Sequence, residues 1–160
     1  MQKLMIVAMS STVAEDVRST MKAPLYGFPA HREPAIGRAP CRHCLKLIRP
    51  HAEELILFTY DAFQGQGVPP MPGPVYIHAE RCAPFAGNGR LPEEYRRQPL
   101  TFEAFGENRT RLGETLTHAE GDPDAAMQEL FRNSHVEYAH VRSTTAGCYL
   151  FRVERAQPGE

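Results

Sequence analysis

Val136-Glu-Tyr-Ala-His-Val-Arg142 and Cys148-Tyr-Leu-Phe-Arg-Val-Glu154, joined by Ser143-Thr-Thr-Ala-Gly147, form the stretch on which the fold turns. Two strand-like runs separated by a five-residue connection that closes on glycine read as a β-hairpin. Placing Arg142 opposite Cys148 pairs His140 with Leu150 and Tyr138 with Arg152. In that register Ala139, Val141, Tyr149, Phe151 and Val153 share the core face, and Tyr138, His140, Arg142 and Cys148 share the other. A slip of one residue would exchange the two faces.

Working back from the hairpin, Asp122-Pro123 is a helix start, with Ala126, Met127, Leu130 and Phe131 as the buried face. Leu100 to Phe105 alternates as a half-buried strand, Thr115 to His118 is a weaker one, and Leu91-Pro-Glu-Glu94 opens a short helix. Glu54 to Tyr60 and Val75 to Ala79 are apolar runs expected as inner strands. Between them Gln64 to Pro74 holds three Gly and four Pro in eleven residues and reads as a long surface loop. Arg42 to Arg49 fits two helical turns ended by Pro50, and residues 24 to 40, with four prolines, read as extended loop. Leu4 to Met9 is a short strand. Thr12 and Glu15 match a capping box ahead of a helix whose stripe is Val13, Val17 and Met21 and which must stop before Pro24.

Strands joined mostly by short connections, with two main helices and no βαβ alternation, predict an α+β fold. The expectation is one domain over residues 1–160, with a mostly antiparallel sheet of about six strands and a C-terminal hairpin. The composition agrees: 160 residues, 42% apolar and 23% charged, suit a folded globular domain. Eighteen Lys+Arg against nineteen Asp+Glu give a net charge of −1, which supplies no electrostatic case for nucleic acid or an anionic membrane as partner. The longest opening apolar run is too short for a signal-peptide core or a bilayer span, so the expected address is the cytoplasm. There the four cysteines read as thiols or metal ligands before disulfides.

The densest polar cluster is Cys41-Arg42-His43-Cys44, followed by His78 and Cys82. Two thiolates at i and i+3 can grip one tetrahedral cation, and a His and a Cys four apart can close the shell. Cys41, Cys44, His78 and Cys82 then make a three-sulfur, one-nitrogen zinc site. The spacing leaves a second reading open, in which Cys44 and Cys82 are small buried hydrophobes and His78 a hydrogen-bonded strand residue. A thiol–disulfide role for Cys41 and Cys44 would call for a βαβ neighbourhood that the sequence lacks. Arg42, His140, Arg142 and Cys148 are candidate ligand-binding residues, because Arg forks onto carboxylate or phosphate and His carries protons near neutrality. His31, His51 and His118 fall in segments expected at the surface. Phosphate-cradling and dinucleotide-binding glycine motifs, the zinc-protease helix motif and the nucleophile elbow are all absent.

Ala39-Pro-Cys-Arg-His-Cys-Leu45, Leu57-Phe-Thr-Tyr-Asp-Ala-Phe63 leading to Pro72-Gly-Pro-Val-Tyr-Ile-His78, and His140-Val-Arg142 with Gly147-Cys-Tyr-Leu-Phe151 occur here in that order. Together they resemble the bacterial domain-of-unknown-function family numbered 1203, over about residues 41–154. The resemblance implies a single ordered, cytosolic domain, directs attention to Arg42, His78, Arg142 and Cys148, and assigns none of them a role. Some relatives are similar at Pro40-Cys41-Arg42 and lack counterparts of Cys44 and His78, which implies that a metal would belong to a subgroup. His51-Ala52 stands where the pattern has a glycine before the glutamate.

Three functional readings follow. The first is a small zinc-binding or ligand-binding module. The second is a small-molecule enzyme built on Arg42, His78, His140 and Arg142 around one polar pocket. The third is a protein-interaction module presenting the loop from Gly65 to Pro74. Partners are accordingly a small molecule or a protein, and zinc is the one cofactor suggested.

Overall fold

The computed structural model of the chain describes residues 1–87, 89–117 and 120–159. His118, and with it the end of the strand read over Thr115 to His118, lies outside them. The chain makes two compact units, one of Ala8–Phe85 and one of Met1–Val7 with Ala86–Glu160. Among the described residues no helix is long and apolar enough to cross a membrane.

In the Ala8–Phe85 unit the first helix, α1, spans Ser11–Thr20. Its N-cap is Ser10, whose hydroxyl accepts from the Val13 amide at 3.2 Å, so the cap lies two residues before the expected Thr12. Glu15 is thereby released to pair with Arg18 at 3.1 Å and Arg81 at 3.4 Å. The helix stops where Met21 enters the left-handed region and its amide bonds to Val17 O at 2.8 Å. Ala14 and Val17 are fully buried, with Val13 and Met21 packed against the same core.

The stretch expected as loop over residues 24–40 holds two short strands, β2 (His31–Pro34) and β3 (Ala39–Pro40). All four residues of β2 are exposed, so no apolar alternation announces it, and only pairing with β5 (Glu54–Asp61) defines it. On its other side β5 pairs antiparallel with β6 (Pro72–His78), which makes β5 central and β6 an edge strand, where two inner strands were expected. β6 begins three residues before Val75, because Pro72 and Pro74 extend the ladder opposite Asp61 and Thr59. Proline lacks the ladder donor and is tolerated on an edge.

Arg42 to Arg49 is not helical. β3 and β4 (Leu47–Ile48) pair in a tight hairpin, closed by Leu45 N to Cys41 O at 2.9 Å and Cys41 N to Lys46 O at 3.0 Å. Leu45 takes a positive φ of 58° to make the reversal. Pairing across the hairpin overrides a local helix preference worth only tenths of a kcal/mol per residue, on the order of 0.5. After β4, His51 also sits at positive φ, 59°, and is exposed. His51 thus holds a left-handed backbone conformation of the kind that glycine adopts most readily.

The other unit is a five-stranded sheet in the order β1-β10-β9-β7-β8, antiparallel throughout, from β1 (Leu4–Val7), β7 (Leu100–Phe105), β8 (Arg111–Thr117), β9 (Tyr138–Ser143) and β10 (Tyr149–Arg155). A single 3-10 turn over Glu93–Tyr95 stands where the short helix was expected. The second helix, α2 (Pro123–Leu130), is capped by Asp122, whose carboxylate accepts from the Asp124 and Ala125 amides. Phe102, Ala139, Val141, Phe151 and Val153 share a buried sheet face, as the alternation requires.

The C-terminal hairpin is present with a different register. Arg142 faces Tyr149, a bulge follows, and His140 faces Arg152. Two residues of β10 oppose one of β9 at the bulge, so Tyr149 changes faces and joins His140 instead of Phe151. The class is α+β with mostly antiparallel sheets; the described residues form two α-helices and ten strands, in sheets of five, three and two.

Candidate metal centre

Three pieces of the Ala8–Phe85 unit converge on one point. The β3–β4 hairpin carries Cys41 at its mouth and Cys44 in its turn. β6 ends in His78, and Cys82 lies four residues on, in a segment with neither helix nor strand. The hairpin is fastened to the β6 edge by Arg42 N to Tyr76 O at 3.0 Å and by the His78 amide, which donates to Cys41 Sγ at 3.3 Å. One main-chain bond and one amide-to-sulfur bond thus hold Cys41 beside His78.

The ligand atoms of Cys41, Cys44, His78 and Cys82 all lie within 4.8 Å of one another. Cys41 and Cys82 sulfurs are 3.9 Å apart, and Cys44 Sγ is 3.4 Å from His78 Nδ1. A tetrahedral zinc with bonds of about 2.3 Å to sulfur and about 2.05 Å to nitrogen has edges of about 3.8 Å (S–S) and about 3.6 Å (S–N). These two edges match within a few tenths of an ångström. Cys41, Cys44 and His78 are buried and Cys82 is half-buried.

The surroundings keep this donor set charged and oriented. His78 Nε2 faces Glu53 Oε2 at 3.3 Å, which leaves Nδ1 turned to the sulfurs. Glu53 is itself held by the Arg49 amide at 3.0 Å and guanidinium at 2.9 Å, and these bonds keep its carboxyl below the usual range. Such a carboxylate–imidazole pair is the ordinary second layer of a metal-bound histidine. Cys82 Sγ receives Arg18 Nη2 at 3.3 Å and contacts His43 Nδ1 at 3.1 Å, while His43 Nε2 meets Ser11 Oγ at 2.9 Å. Arg18 Nε also holds His78 O at 3.1 Å.

The bare side chains divide their charge unevenly. Hydrogen bonds from Cys44 and Cys82 drive the Cys41 thiol far down, whereas the same contacts and burial drive Cys44 up. Hydrogen bonds to Cys41 and Cys82 push His78 up to about 10. A sulfur pocket that draws a proton onto its histidine is compatible with a divalent cation in the proton's place. The four clustered residues are the candidate ligands that the sequence offers; Arg18, Ser11 and Glu53 carry no motif and meet the cluster only through tertiary packing. His43 was visible inside the Cys-x-x-Cys and was assigned no part.

The remaining predicted site residues are placed as follows. Arg42 belongs to the same unit, is fully buried, donates to Pro40 O at 2.7 Å and lies over the Tyr76 ring. His140 and Arg142 share one face of β9 in the other unit. His140 is buried against the rings of Phe105, Tyr138 and Tyr149, and Arg142 is ion-paired with Glu103. Burial, reinforced by Arg152, Arg142 and Arg109, holds His140 down to about 3. Cys148 is half-buried just before β10. The segment from Gly65 to Pro74, expected as a loop, gives its last three residues to β6; Met71 just before them is exposed, and its amide is tied to the buried Asp61 carboxylate at 3.2 Å.

The chain belongs to the family described as protein of unknown function (DUF1203), whose model matches residues 38–155. The match covers most of the chain and leaves out α1, close to the span of about 41–154 over which the sequence resembles the family. No curated protein and no solved structure matches it.

Proposed function

We propose that this protein is a zinc-binding module in which Cys41, Cys44, His78 and Cys82 hold one structural zinc ion. The observation that carries the reading is the meeting of three sulfurs and one imidazole nitrogen within 4.8 Å, from three separate pieces of chain. Four protein ligands leave no open position for substrate, which separates a structural site from a catalytic one. The zinc would tie the β3–β4 hairpin and the chain after β6 together, so its binding energy would be folding energy. Free thiols in that number suit a reducing compartment such as the cytoplasm. β1 pairs with β10, so the Met1–Val7 strand completes its sheet only with the last residues of the chain, which supports one domain over residues 1–160.

Elemental analysis of untagged protein purified without chelator should find one zinc per chain. Chelator or Cys41→Ser should then remove the metal and lower stability by several kcal/mol, roughly 3 or more. Absence of metal, together with an unchanged melt after chelator, would overturn the assignment.

A further inference from the structure

Resting on that zinc reading, we propose that Cys82 is a redox-modification site: a hydroperoxide oxidises its sulfur, Cys41 resolves it as a disulfide, and the metal is lost. The four ligands are not equivalent. Cys41, Cys44 and His78 are buried, so an oxidant from solvent meets Cys82 first. Their main chain is also more constrained. Cys41 and Cys44 belong to a closed hairpin and His78 to a paired strand, while Cys82 lies in a segment with neither helix nor strand. Arg18 Nη2 and His43 Nδ1 flank its sulfur at 3.3 and 3.1 Å, a polar approach that suits a hydroperoxide and its departing oxygen. The resolving thiol is already placed, since Cys41 Sγ is 3.9 Å away and a disulfide needs a closure of about 2 Å. A half-buried sulfur, the most exposed of the set, beside a resolving cysteine resembles the arrangement of redox-sensing thiols.

The chemistry balances. The Cys82 thiolate attacks one oxygen of the hydroperoxide, the O–O bond breaks, and the departing alkoxide takes a proton from water, leaving a sulfenic acid on Cys82. The Cys41 thiolate then attacks that sulfur, the S–O bond breaks, and hydroxide leaves as water after taking a second proton. Two thiolates, one hydroperoxide and two protons give one disulfide, one alcohol and one water. The centre is left with Cys44 and His78, too few ligands to retain zinc.

The test treats the zinc-loaded full chain with hydrogen peroxide beside a chromogenic chelator, with peptide mapping at each time point. A parallel Cys148→Ser chain removes the thiol outside the cluster. The expected result is loss of the one zinc per chain in step with a Cys41–Cys82 disulfide, with Cys44 left alkylatable and dimedone trapping Cys82 at early times. A Cys41–Cys44 disulfide as first product would overturn the proposal, as would oxidation of Cys148 with zinc retained. Should elemental analysis find no metal, the zinc reading fails on that measurement. Mapping of the same oxidised thiols still decides the Cys82 proposal, because absence of the Cys41–Cys82 bond refutes it alone.

Discussion

Replacing Glu53 by glutamine tests whether His78 is held as a metal ligand by its carboxylate. Both oxygens of Glu53 act as acceptors: Oε1 takes the Arg49 amide and guanidinium at 3.0 and 2.9 Å, and Oε2 faces His78 Nε2 at 3.3 Å. Glutamine has one acceptor and one donor of nearly the same shape. If its oxygen stays with Arg49, its NH2 meets the Nε2–H. The imidazole must then turn, or move its proton to Nδ1, the nitrogen 3.4 Å from Cys44 Sγ that would bind zinc. Loss of such a partner typically costs 10–100-fold in metal affinity, about 1.4–2.7 kcal/mol. Competition against a chromogenic chelator should therefore show Glu53→Gln binding zinc roughly 10- to 100-fold more weakly, with Arg49 contacts largely retained. The metal-free melts of parent and variant supply the control, since any effect through the Arg49 turn appears in both metal states. Equal zinc affinity in the two proteins, with His78→Ala strongly impaired, would refute the orienting role of Glu53.

Three further expectations concern the other unit. His140 is held down to about 3 by burial, so between about pH 6.5 and 3 the unfolded chain takes a proton that the folded chain refuses. Its contribution is whole above pH 6.5 and is lost as pH falls. Urea unfolding should show the parent losing about 2 kcal/mol relative to His140→Phe between pH 7 and 5, and parallel pH curves would contradict this. Asp122→Ala removes the acceptor for two helix amides and should lower stability by about 1–2 kcal/mol, with Asp122→Asn close to the parent; equal stability of all three would remove the cap from the account. Gly89 has a φ of +74°, and a Cβ there would collide with Leu4 O, so Gly89→Ala should lower the melting temperature by several degrees, about 4 or more, and an unchanged melt would show that the Leu4 strand can shift.

The local signals that reached the fold intact were those with a complete short-range cause. Asp122-Pro123 capped α2 as read, because the cap bonds span three residues. Leu100–Phe105 is a strand over the residues read from its alternation. Where the cause lay elsewhere in the chain, the reading slipped. β2 has no buried residue and exists only through β5, and the helix-like Arg42 to Arg49 became a hairpin fastened to the β6 edge. The hairpin near the C-terminus was legible as a hairpin but not in register, since a bulge before Phe151 leaves no mark in residue types.

The candidate metal site divides in the same way. The candidate ligands were legible because thiolate and imidazole are the groups zinc selects, and Cys41 and Cys44 stand at a spacing that one tetrahedral ion accepts. That His78 and Cys82 complete the set was written in residue types alone. Their meeting with Cys41 depends on β5 delivering β6 alongside the hairpin, a pairing between segments more than thirty residues apart. Glu53 behind His78, and Arg18 and His43 around Cys82, were decided wholly by tertiary structure. Sequence specifies which atoms can bind a cation, by their chemistry. Only the folded chain specifies which atoms orient them, because a hydrogen bond of about 3 Å is a statement about position in space and leaves no period or spacing along the chain.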